Sequence, residues 1–294
     1  MLDRAGFSPG EIDGQAGSNL RRAVRAFQQV FALPATGELD EATWQKLLTS
    51  TRSEPALVEY TITQEDVEGP FTPRIPADLV EQGNFKRLDY RNALEELGEK
   101  FHTSPALLKR LNPEATFARA GESVMVPNVE VITPLATPIT NANQGTQAVA
   151  TSGTQTSETG IVIYVTQATS SATVEDSNGK VLFHAPVTSG SQHDPLPIGA
   201  WKVTGVEQMP VFNYNPELFW DADPSHAKTR IPPGPNSPVG TIWIDLSKEH
   251  YGIHGTPEPS KIGHTASHGC VRLTNWDAQR LARWVRPGTT VIFR

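Results

Sequence analysis

The sequence predicts a multidomain chain: a mainly β unit at residues 160–294, sandwich- or barrel-like with one late helix, preceded by a small all-α unit (1–50) and a small α+β unit (58–129). Three observations predict this. Apolar residues recur at helical spacing in residues 20–31 and 41–48, whereas from Ile161 onward they alternate with a period of two. The 24 prolines and 23 glycines demand many turns. Residues 131–158 are rich in Thr, Pro, Ser, Asn, Gln and Ala without an apolar period, and so read as a flexible linker.

In the first unit, Leu20, Val24, Phe27 and Phe31 share one helical face. Leu33 to Asp40 is a turn, and Glu41 to Leu48 makes a second helix with Trp44, Leu47 and Leu48 expected inward. The run AVRAFQQVFALPATGELDEATWQKL places an aromatic helix, a Thr-Gly turn and a Trp-bearing helix in that order. It resembles the three-helix peptidoglycan-binding domain attached to many wall enzymes.

In the second unit, Val58 to Ile62 alternates as a strand and Asn92 to Phe101 is helical. Ser104 and Pro105 open another helix as N-cap and first residue, and GESVMVPN at 121–128 closes as a strand. The order strand, helix, helix, Asn-Pro, strand resembles a lysin motif (LysM), a small glycan-binding fold. The join from Gly69 to Leu88 is longer than that family's usual one.

In the third unit, Ser177-Asn178-Gly179-Lys180 carries the Asn-Gly hairpin signal and joins 173–176 to 181–185. Residues 199–206, 241–246 and 289–293 are further strands. The late helix has Asn275 as its expected cap, Asp277 at its positive end, Leu281, Ala282 and Val285 inward, and Pro287-Gly288 as its stop.

The 25 Lys+Arg and 32 Asp+Glu give a net charge of −7, all of it in residues 1–159. Neither half carries a basic stripe, which argues against a nucleic-acid partner. No stretch has the length and apolarity of a transmembrane segment, and no signal peptide pattern opens this chain.

The single cysteine, Cys270, cannot form an internal disulfide. Taken alone it reads equally as buried filler or as a nucleophile; its neighbours favour the nucleophile. A thiol is a weak nucleophile near its ordinary pKa, and an imidazole can take its proton or hold a thiolate–imidazolium pair. His254 lies upstream on an expected strand end, and His268 stands two residues before the thiol. Gly269 lets backbone approach a bound carbonyl, so the N–H groups of Gly269 and Cys270 can form an oxyanion hole. Arg272 supplies a cation suited to a substrate carboxylate or to bracing the loop.

The segment HGT…SHGCVRL, with PVTSG, PLPIGAW, GPNSPVGTIWIDL and YGIHGT before it, resembles the L,D-transpeptidases, bacterial enzymes that cross-link peptidoglycan through a cysteine. The resemblance implies that His254 is the base activating Cys270 and that the Gly255 carbonyl orients it. It also implies that Ser267, His268 and Gly269 shape the nucleophile loop and oxyanion hole, and that Arg272 binds or orients substrate. No cofactor is implied. The expected partners are peptidoglycan stem peptides and glycan, with a wall-anchored protein as a further acceptor. The expected location is extracytoplasmic, in the periplasm or cell wall, inferred from that substrate.

Tyr214, with Asn215, Pro216, Phe219 and Trp220, forms an aromatic insertion that reads as loop packing or as a substrate-facing lid. His184 is expected on the surface, His193 beside Asp194 on the surface or lining the cleft, and His264 on a lid-side loop. Other readings are a zinc site from His250, His254, His264, His268 and Cys270, a carboxypeptidase using the same acyl-enzyme, and a wall-binding protein without activity. The zinc reading is weakened because these residues fall on strand and loop, where the His-x3-His spacing loses its helical geometry. A papain-like arrangement fails because no histidine follows Cys270.

Overall fold

The computed structural model describes residues 1–132 and 160–294, so most of the expected linker lies outside the described residues. The first unit contains α1 (Ser18–Val30) and α2 (Glu41–Ser50). Val24, Phe27 and Leu47 are buried with Leu2 and Phe7, and Leu20 and Phe31 pack at the margin. Trp44 is 40% exposed, against the inward expectation. On α2 the buried pair is Thr43 and Leu47, four residues apart, which rotates Trp44 out of the core.

The second unit is β1 (Leu57–Thr61), α3 (Gln64–Glu68), α4 (Leu79–Gln82), α5 (Ala93–Lys100), α6 (Pro105–Leu111) and β2 (Ser123–Pro127). β1 and β2 pair antiparallel over Ile62, Leu97, Phe101, Leu108, Val124 and Val126. Ser104 caps α6 by accepting from the Leu107 N–H, with Pro105 in the first turn. The long join does not hang free. Ile75, Leu79, Val80, Phe85 and Leu88 pack with Tyr214 and Ile231 of the third unit.

The third unit contains β3 (Ile161–Thr166), β4 (Ser171–Asp176), β5 (Val181–Pro186), β6 (Thr188–Ser189), β7 (Gly199–Gln208), β8 (Phe212–Tyr214), β9 (Thr229–Ile231), β10 (Ile242–Leu246), β11 (Gly252–His254), β12 (Val271–Arg272), α7 (Asn275–Trp284) and β13 (Thr290–Phe293). Nine of these strands form one sheet in the order β5-β4-β3-β13-β7-β10-β11-β12-β6, while β8 and β9 form a separate hairpin. Residues 199–202 of β7 pair with β13, and 203–208 pair with β10, so β7 carries the sheet from one layer to the other. The first and last strands in that order, β5 and β6, are separated in sequence by Val187 alone, which is fully buried. The sheet therefore curls around a shared core that includes Ile163, Phe183, Val203, Ile244, Ile253, Val271 and Leu281. Each such fully buried side chain contributes about 1.5–3 kcal/mol relative to exposure.

The cap of α7 differs from the expectation. Thr274 is the N-cap, accepting from the Asp277 N–H, and Asn275 is the first helical residue. His184, expected on the surface, is 3% exposed. Its N–H donates to the Gly6 carbonyl and its carbonyl accepts from the Ser8 N–H, so the N-terminal segment bridges β5. Burial pushes the His184 imidazole down to about 4.

All three units meet at α7. Arg280 of α7 donates to Asp3 at 3.0 Å, and Asp3 pairs with His102 of the second unit at 3.1 Å. His102 stacks on Trp276 at 5.2 Å. Burial alone would raise the Asp3 carboxyl, but His102 and Arg280 hold it well below the usual carboxylate range. Beside this knot, Ser8 donates to Asp277 at 2.8 Å.

Candidate active site

β11 and β12 lie parallel, with Ile253 opposite Val271 and His254 opposite Arg272. Side chains alternate along strands, so Ile253 and Val271 enter the core. His254 and Arg272 share the other face. Cys270, one residue before β12 and two before Arg272, is placed on that same face. β10 adds Trp243 opposite His254, and the two rings stack at 5.3 Å and 17°. The pleat of adjacent strands thus assembles thiol, imidazole and guanidinium without any long-range coincidence.

His254 is 4% exposed, and its Nδ1 lies 2.7 Å from the Gly255 carbonyl oxygen. A carbonyl can only accept, so Nδ1 carries the proton and Nε2 is the unprotonated nitrogen. Burial, with Arg272 adding repulsion, pushes this imidazole down to about 3. Burial pushes the Cys270 thiol up; a Gly252 N–H and Arg272 oppose that. The thiol donates to the His250 carbonyl at 3.7 Å. Cys270 is therefore a neutral thiol and His254 a neutral imidazole near neutral pH.

Ser267 holds the nucleophile loop. Its Oγ donates to the Cys270 carbonyl at 2.6 Å and accepts from the Gly190 N–H at 2.8 Å. The Ser267 N–H also donates to the Gly190 carbonyl. Gly269 has φ +101°, and a Cβ there would fall 2.8 Å from the Tyr251 ring, so this position requires glycine. Arg272 has a buried Nε without a hydrogen-bond partner among the described residues. Burial depresses its pKa, against the attraction of Cys270, Glu258 and Asp221.

His268 turns toward the aromatic insertion. Its Nε2 lies 2.7 Å from Asp221 Oδ1, the Phe219 ring meets it edge-on at 5.1 Å, and Trp220 lies at 6.0 Å. Trp220 is 59% exposed and stacks on His193 at 4.2 Å, so His193 lies against the insertion. Tyr214 is 3% exposed and its hydroxyl lies 3.1 Å from His226 Nδ1. The other nitrogen of His226 lies 3.0 Å from Asp78 of the second unit. Tyr214 thus braces the insertion from below. His264 lies against α1, with its Nε2 3.4 Å from the Asn19 amide. Among the described residues no group of three or more His, Cys, Asp or Glu side chains is gathered to hold a metal ion.

Sequence reasoning missed Asp221 and Trp243 and read Asn275 only as a helix cap. Trp243 carried a usable signal, since it alternates with the apolar Ile242 and Ile244. Asp221 carried none, because it meets His268 from 47 residues away.

Residues 160–293 match the family model described as the L,D-transpeptidase catalytic domain (YkuD), and residues 1–47 match that of a "putative peptidoglycan binding domain". The "Putative L,D-transpeptidase YkuD" of Bacillus licheniformis is 52% identical over 59 residues, 20% of this chain and 36% of that protein. The "Putative L,D-transpeptidase YqjB" of Bacillus subtilis is 29% identical over 112 residues, 36% of this chain and 56% of that protein. The chain thus spans about a third to a half of these relatives' lengths. Among solved structures, an L,D-transpeptidase from Mycobacterium smegmatis aligns over 46% of this chain and 58% of its own, at 19% identity and TM-score 0.37. Residues 160–293 are thus similar to the L,D-transpeptidase catalytic domain and residues 1–47 to a peptidoglycan-binding domain.

Proposed function

We propose that this chain is a cysteine L,D-transpeptidase acting on peptidoglycan tetrapeptide stems through a Cys270 thioester. The observation that supports the reading is the parallel pairing of β11 and β12, which sets His254 opposite Arg272, two residues after Cys270. His254 Nε2 takes the thiol proton as sulfur attacks the carbonyl between an L-centre and a D-centre. The carbon–nitrogen bond breaks, the imidazolium returns the proton to the leaving amine, and the terminal D-amino acid departs. The N–H groups of Gly269 and Cys270 face the developing oxyanion in this scheme. Arg272, whose Nε lacks a partner among the described residues, suits the carboxylate of the donor.

An acceptor amine then attacks the thioester and restores the thiol. A stem amine gives a cross-link, an amine of a wall-anchored protein gives attachment, and water gives carboxypeptidase activity. The 1–50 unit would hold the wall, and the 58–129 unit, read as LysM-like, would bind glycan. Action on that substrate places the protein outside the cytoplasm. No helix among the described residues is long and apolar enough to cross a membrane.

The test is intact mass after incubation with a carbapenem, alongside product analysis on tetrapeptide fragments. A covalent adduct on the wild type that is absent from Cys270→Ala, with release of the terminal D-amino acid, is expected. No adduct and no turnover would leave a wall-binding protein instead.

A further inference from the structure

Asn275 does not cap α7, and its carboxamide is spent elsewhere. Oδ1 accepts from the N–H groups of Thr241 and Thr256, both at 3.1 Å. Nδ2 donates to the Pro235 carbonyl at 3.1 Å and to Glu99 Oε1 at 3.2 Å. Asn275 is fully buried. Its oxygen fills space left by two glycines: a Cβ on Gly240 would lie 2.0 Å from Oδ1, and one on Gly255 would lie 2.2 Å from it. All four hydrogen-bonding capacities of the amide are thus used, which fixes which end is oxygen.

The Thr256 N–H belongs to the same peptide unit as the Gly255 carbonyl. That carbonyl accepts from His254 Nδ1 at 2.7 Å. A peptide unit is planar and rigid, so holding its N–H end sets the direction of its C=O end. The chain of contacts runs from Asn275 Oδ1 through one peptide plane to His254 Nδ1, and each hydrogen bond in such a chain polarises the next. At the far end of the amide stands Glu99 of α5, in the second unit, with its carboxyl pushed up to about 8 chiefly by burial.

We infer that Asn275 is a positioning residue that fixes the orientation and tautomer of His254 through the 255–256 peptide plane, and that Glu99 of the second unit sets the orientation of the Asn275 amide. The inference rests on the proposed role of His254 as base. It extends that role to the second unit, which completes the support of the base in addition to the glycan binding proposed for it.

The test uses the full chain with Asn275→Ala, Glu99→Leu and Glu99→Gln, each checked by thermal unfolding. Imidazole nitrogen shifts, assigned with His254→Gln, report the His254 tautomer directly. Carbapenem acylation of Cys270 reports reactivity across pH 6 to 9, a range of about three units around neutrality. The wild type is expected to show a single Nδ1–H tautomer. Asn275→Ala is expected to show both tautomers and to acylate about 100-fold more slowly, as for a misplaced catalytic group. Glu99→Leu is expected to lose about tenfold, and Glu99→Gln, which keeps an acceptor oxygen, to recover most of it. A folded Asn275→Ala with an unchanged tautomer and acylation within about twofold of wild type overturns the inference. If Asn275→Ala does not fold, equal behaviour of Glu99→Leu and Glu99→Gln overturns it. A wild type that forms no adduct defeats the proposed function alone, because the tautomer measurement still decides the positioning role.

Discussion

Ser267→Ala isolates the clamp on the nucleophile loop. The hydroxyl makes two hydrogen bonds, to the Cys270 carbonyl at 2.6 Å and from the Gly190 N–H at 2.8 Å. Ser267 is 3% exposed, so water cannot easily replace it. Leaving the buried Gly190 N–H without an acceptor costs about 1–3 kcal/mol, and the lost bond at the less buried carbonyl adds roughly 1 kcal/mol. The backbone bond from Ser267 to Gly190 survives the substitution and keeps the loop near its place. The expected loss is therefore about 2–4 kcal/mol, or a fall in melting temperature of about 4–16 °C for a domain of this size. Acylation of Cys270 should slow by at least about tenfold, since 1.4 kcal/mol withdrawn from the reactive geometry suffices for that factor. The assay is the rate of carbapenem adduct formation by intact mass, paired with thermal unfolding. A variant that melts like the wild type and acylates within about twofold of it would refute the clamp.

Three further outcomes follow from the electrostatics. Cys270 is a neutral thiol at neutral pH, so its alkylation by iodoacetamide should keep rising with pH through and above the ordinary thiol range; a plateau already reached near pH 6 would instead reveal a preformed ion pair. Glu99 ionises at 4.5 in its reference state and about 8 when folded, so its contribution to stability is fully present below 4.5 and is lost as pH rises through about 8. Glu99→Gln should remove up to about 1.4 kcal/mol per pH unit of that downward slope in chemical denaturation; an unaltered slope would show that Glu99 is ionised in the fold. Arg280→Ala leaves the Asp3 carboxylate buried without its cation, at a cost of about 3–5 kcal/mol, and should raise hydrogen exchange at Phe7 and Ser8; a loss below about 1 kcal/mol would mean that the knot is solvated.

What the sequence disclosed depended on range. Gly252, His254 and Arg272 fall on two short strands with Cys270 one residue before the second, and a period of two suffices to put them on one face. The Asn178-Gly179 hairpin and the Ser104 cap were equally local. Asn275 was misread because an Asn before an apolar helical run is the ordinary sign of a cap, whereas its true partners, Thr241 and Glu99, lie 34 and 176 residues away. His184 was misread for the same reason: nothing near it shows that residues 6 to 8 will lie along its strand. Residues 69–88 read as an overlong join, and only the apolar contacts with Tyr214 and Ile231 give that length a purpose.

The bridge between Phe7 and His184 also bears on solubility. β5 ends the nine-stranded order, so one side of it has no strand neighbour within the third unit. An open strand edge is a template for pairing with another chain. The two hydrogen bonds exchanged between residues 6 to 8 and His184 occupy part of that edge, and Val181 packs beneath the first unit's core. A fragment trimmed to the catalytic fold would expose the edge together with apolar surface on which the first unit sits. Its tendency to self-associate would then measure how far the first unit also serves as a fixed guard against aggregation.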